Sequence, residues 1–72
     1  MSTEKINYPK NELVWVNYRD RTGELRFILT SKENREQYFL YELKNGAFVR
    51  LGKAKDPPAL VEKYKVMERL RE

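Results

Sequence analysis

Residues 36–51 read EQYFLYELKNGAFVRL: two runs rich in aromatic and β-branched residues joined by Asn45-Gly46. Both central positions of a type I′ turn need positive φ, which Asn and Gly tolerate best, so Asn-Gly between such runs is a strong local signal for a β-hairpin. Working back towards the N-terminus, 24–31 (ELRFILTS) and 12–18 (ELVWVNY) have the same strand character. The segment Asp20-Arg21-Thr22-Gly23 that joins them sets Asp where its carboxylate can bond the turn backbone and Gly where a left-handed residue closes a bulged hairpin. The middle connection, Lys32-Glu33-Asn34-Arg35, has no such chemistry.

Working forward, Gly52 ends the last strand and Asp56-Pro57-Pro58 announces a helix: a capping acceptor, then prolines at first-turn positions that need no donor. The helix is expected to run to about Arg71. Leu60, Tyr64 and Met67 form its apolar stripe, with Val61 and Leu70 beside it and Glu62, Lys65, Arg69 and Glu72 opposite. The expected architecture is therefore α+β, a four-stranded antiparallel β-meander with one C-terminal helix packed on one face. Residues 1–11, polar apart from Ile6 and Tyr8 and carrying Pro9, read as a flexible lead-in or edge strand, and 12–72 as a single domain. A chain of 72 residues has apolar area for one core only.

Composition narrows the chemistry. With no cysteine and no histidine, the chain has no thiolate nucleophile, no disulfide, no catalytic triad and no Cys or His metal site. Arg, Lys, Tyr and Glu could in principle transfer protons, yet no spacing singles out a set of them, so the reading is non-catalytic, without cofactor or metal. No stretch approaches the ~20 apolar residues of a membrane span, and the start, Met1-Ser2-Thr3-Glu4-Lys5, lacks the pattern of a secretory signal. The expectation is a cytoplasmic protein. A net charge of +4 permits an anionic partner without requiring one.

Hairpin geometry predicts which residues share a face. A bulged first loop opposes Asp20 to Glu24, a two-residue Asn45-Gly46 turn opposes Lys44 to Ala47, and a middle loop of four residues opposes Ser31 to Glu36. Leu13, Trp15, Leu25, Phe27, Leu29, Tyr38, Leu40, Val49 and Leu51 then lie on one face, beneath the helix, with Arg19, Glu42 and Lys53 at its margin and Trp15 as a core anchor. The opposite face takes Val14, Val16, Tyr18, Ile28, Phe39, Tyr41, Leu43 and Phe48 with Arg26 and Arg50. One row across it reads Tyr18, Arg26, Tyr41, Arg50. A middle loop of five residues would turn the last two strands over and dissolve that row.

Tyr18, Arg26, Ile28, Phe39, Tyr41, Phe48 and Arg50 are accordingly the candidate binding residues. An exposed face of Tyr, Phe and Arg has the composition of a protein interface, most simply a homodimer. The same alternation of aromatic and cation suits stacking of single-stranded DNA or RNA bases with arginines on phosphates. A third reading is that the row is a self-satisfied cation-π ladder on a solvated sheet, with Ile28 and Phe39 shielded by Ile6 and Tyr8 of the lead-in. In element order and size, four antiparallel strands and one helix, the chain resembles the single-stranded-DNA-binding transcriptional coactivators. The likeness is one of topology; no motif aligns residue by residue, and no functional position is carried over from it.

Overall fold

The computed structural model describes residues 7–71. Strands β1 (Leu13–Arg19), β2 (Leu25–Ser31), β3 (Tyr38–Lys44) and β4 (Ala47–Ala54) form one antiparallel sheet in the order β1-β2-β3-β4, followed by helices α1 (Pro57–Lys63) and α2 (Val66–Leu70). Of the lead-in, residues 1–6 with Ile6 lie outside the described residues, and 7–11 form no strand.

Both outer hairpins follow their local chemistry. The Asp20 carboxylate accepts from the backbone N–H of Thr22 at 2.9 Å and of Glu24 at 3.0 Å and from the Thr22 hydroxyl at 2.6 Å. The Thr22 hydroxyl bond, foremost among these, holds the carboxyl of Asp20 below its ordinary pKa. Gly23 has φ +87°, Asn45 +52° and Gly46 +82°, the left-handed values such turns demand. The middle connection differs from expectation: Ser31 faces Tyr38, not Glu36. Its extra turn is held by Arg35 N–H to the Lys32 carbonyl at 2.9 Å and Glu36 N–H to the Asn34 side chain at 3.1 Å. Because the slip is an even number of residues, the side chains of β3, and of β4 as far as Arg50, keep the face they were assigned. A bulge at Leu51, between the pairs Tyr41–Arg50 and Leu40–Gly52, inverts the remainder, so Lys53, expected at the helix-side margin, pairs with Phe39 on the far side.

Two further bulges, in the pairing of β1 with β2, do the same. Trp15 has no counterpart between the pairs Val14–Thr30 and Val16–Leu29, and Arg26 has none between Tyr18–Phe27 and Arg19–Leu25. Each extra residue inverts the alternation beyond it. Val16 and Tyr18 therefore turn onto the helix face, opposite Leu29 and Phe27, and Leu25 packs on the other side with Ile28, Phe39 and Tyr41. Trp15 is no core anchor, since 43% of it stays exposed.

The helical cover is broken. The left-handed residue Lys65, φ 53° and ψ 43°, separates α1 from α2. The break follows an anchor: the Tyr64 hydroxyl donates to the Leu51 carbonyl at 2.7 Å, fixing the ring against the sheet. Redirected after Tyr64, the chain buries Val66 and Leu70 with Leu60 and leaves Met67 exposed, the reverse of a continuous stripe. Arg69 is not on a solvated side either; its guanidinium donates to Glu42 at 2.8 Å and lies 5.1 Å from the Phe27 ring centroid. Pro57 and Pro58 occupy the first helical positions as anticipated, but the Asp56 side chain makes no capping bond.

Gly52 is where the helix meets the sheet most closely. A Cβ built there would meet Tyr64 ring carbons at 3.0 and 3.1 Å and the hydroxyl closer still. Gly52→Ala must push Tyr64 off the Leu51 carbonyl, and should cost about 1–3 kcal/mol. Urea unfolding checks it. A variant as stable as wild type would show that the Tyr64 anchor is dispensable.

Candidate interaction surface

The second sheet face, assigned the binding row, is a second small core. Ile28 is wholly buried, and Phe39 and Tyr41 are buried with it. Their cover is assembled from residues just before β1 and on β4. The Glu12 carboxylate accepts the Thr30 hydroxyl at 2.6 Å, the Tyr41 hydroxyl at 2.9 Å and an Arg50 N–H at 3.2 Å. Arg50 also donates to the Tyr41 oxygen at 2.9 Å and lies 4.2 Å from the Phe39 ring centroid. Burial above all raises the Tyr41 phenol above its ordinary pKa, and the bond to Tyr41 raises that of Arg50. Tyr8 packs on Phe48 with ring centroids 5.2 Å apart and the rings tilted by 36°.

The row Tyr18, Arg26, Tyr41, Arg50 does not form. Tyr41 and Arg50 are neighbours and Ile28 lies beyond Tyr41, but the bulges send Tyr18 to the opposite face, and Arg26 faces Asp20 at 3.6 Å. Of the candidate residues the structure thus groups Ile28, Phe39, Tyr41 and Phe48 in one cluster, with the half-exposed Arg50 lying over it and bonded to Tyr41 and Glu12, and it separates Tyr18 and Arg26 from them. Of the ladder anticipated as the third reading only the Tyr41–Arg50 contact is present, and it is tied to Glu12, which that reading did not include.

Open apolar surface lies instead along β1. Leu13, Val14, Trp15 and Val16 are each more than a third exposed, and β1 is an outer strand of the sheet. On the helix side, α1 packs against β3 and β4 and leaves the β1 flank uncovered. The result is a groove of about 640 Å³ between Val16, Tyr18 and Leu29 of the sheet and Pro57, Val61 and Met67 of the helices, with Glu62, Lys65 and Glu68 supplying its charges. Next to it, Trp15 donates its indole N–H to the Ser31 hydroxyl at 2.7 Å, and Arg35 lies over its ring at 4.7 Å. Ser31 alternates onto the same face as Phe27 and Leu29, so Trp15 and the groove share the helix side of the sheet.

The sequence does carry an unbroken apolar run here, Leu13-Val14-Trp15-Val16, but Phe27-Ile28-Leu29 and Tyr38-Phe39-Leu40-Tyr41 are runs of the same kind, so this signal by itself did not single the surface out. Among the described residues no cluster of His, Cys, Asp or Glu could hold a metal ion, and no helix is long and apolar enough to cross a membrane. No protein-family model, curated protein or solved structure matches the chain.

Proposed function

We propose that this protein is a non-catalytic association module that binds another protein chain, most simply a second copy of itself, through β1 and the groove beside it. The observation that carries the reading is the exposed run Leu13-Val14-Trp15-Val16 on an outer strand. Open edge strands are ordinarily blunted by charge or covered, and contiguous apolar patches with aromatic and Met side chains mark interfaces. The surface differs from the one read in the sequence, while the class of function is the same. A small domain also gains stability from a partner that binds only its folded form.

Single-strand nucleic-acid binding rested on a Tyr and Arg row that the two bulges dismantle, so it is the weaker reading. Light scattering decides: a mass of twice 8.7 kDa at high micromolar concentration, falling on dilution, is the expected result. A monomer that binds a mixed single-stranded oligonucleotide in a salt-dependent manner would overturn the association reading in favour of the other.

A further inference from the structure

We infer that the second copy docks antiparallel along β1, so that Trp15 and the overlying Arg35 of each copy seat in the groove of the other, beside its Glu62 and Glu68. This rests on the association reading and adds its geometry and contacts.

The choice of edge comes first. Both β1 and β4 are outer strands, and each has one bulge, at Trp15 and at Leu51, but β4 carries the charged side chains of Arg50 and Lys53 along its length. Those charges discourage a further strand. The stretch LVWVNY from Leu13 to Tyr18 carries no charge at all.

The two halves of β1 then differ in shape. On the helix side the first half projects a knob: Trp15, 43% exposed, with Leu13, 47% exposed, and the Arg35 guanidinium stacked above. The second half, through Val16 and Tyr18, floors a hole. A two-fold axis perpendicular to the sheet beside β1 reverses the strand direction and preserves the face. It brings the knob of each copy level with the hole of the other, which is the reciprocal contact that a closed dimer requires.

Charge agrees with shape. Among the described residues Arg35, Glu62, Lys65 and Glu68 have no ion-pair partner, and the two carboxylates of the groove outweigh its one cation, so the docking sets Arg35 of one copy against a net negative charge on its mate. The indole N–H is already satisfied by Ser31, so burying the ring strands no donor.

Trp15 is the only tryptophan, so its emission reports the contact directly and should shift to the blue over the concentration range in which the mass doubles. Arg35, Glu62 and Glu68 are all exposed, which makes reversing their charges tolerable to the fold. Arg35→Glu, and separately Glu62→Lys with Glu68→Lys, should each weaken the dimer about ten-fold or more, equivalent to about 1.4 kcal/mol. The combination of all three substitutions should restore it. A dimer whose dissociation constant and tryptophan emission ignore these changes would overturn this docking while leaving association intact. A chain that stays monomeric throughout overturns both.

Discussion

Phe27→Ala is expected to destabilise the domain by about 3–5 kcal/mol, enough to unfold much of it at room temperature in a chain of this length. Phe27 is wholly buried at the middle of the helix-side core, among Leu29, Leu40, Leu60, Val66 and Leu70. Its ring also meets Arg69, which in turn reaches the buried Glu42 carboxylate at 2.8 Å. Truncation therefore opens a cavity where the sheet and both helices converge, and removes the surface on which the Arg69 guanidinium lies. Small domains bury a smaller share of their surface than large ones and have little stability to lose. Urea unfolding followed by circular dichroism measures the effect. Met67→Ala, at an exposed position of α2, is the matched control and should change stability by no more than about 0.5 kcal/mol. A loss below about 1 kcal/mol for Phe27→Ala would mean that the helices do not cover this face as described.

Glu12→Ala is the second large effect, about 2–3 kcal/mol. The carboxylate stands just before β1, is almost entirely buried, and receives hydrogen bonds from Thr30, Tyr41 and Arg50. Thr30 is itself wholly buried, so removing its acceptor leaves a hydroxyl that water does not reach, and such a group costs more than the bond contributed. Arg50 is about half exposed and can regain water, which is why the expected loss stays below that of breaking a fully buried ion pair. Tyr41→Phe removes the phenol that bridges Glu12 and Arg50. Thermal melts of both single variants and the double variant form a cycle in which the double should lose less than the sum. Strict additivity would show that Glu12 and Tyr41 do not act as one network.

The two effects concern opposite faces of the sheet, which defines how this small protein is built. The helix-side core is covered by α1 and α2, and the far side by Tyr8, Glu12 and Arg50. Neither cover reaches the β1 flank, so the apolar surface left open is an edge with its adjoining groove and not a sheet face.

The amino-acid sequence by itself determined the four strands, the two outer turns and the helical C-terminus, because each is a local matter: β-branched and aromatic runs, Asp20 and Gly23 in one turn, Asn45-Gly46 in the other, Pro57-Pro58 at the helix start. It also determined the faces of β3, and of β4 as far as Arg50, since side-chain direction has a period of two and survives a slip of two residues, though not the bulge at Leu51. Tertiary structure alone decided the rest. Whether Trp15 and Arg26 pair or bulge depends on how β1 meets β2, a contact between strands that neither segment encodes alone, and each bulge sends the residues past it to the other face. The break at Lys65 depends on Tyr64 reaching the Leu51 carbonyl across Gly52, a contact outside the helix. The candidate row was a sum of such long-range registers, so it was lost at the bulges, while the apolar run at Leu13–Val16 remained on the surface because the edge of a sheet has nothing beyond it to bury against.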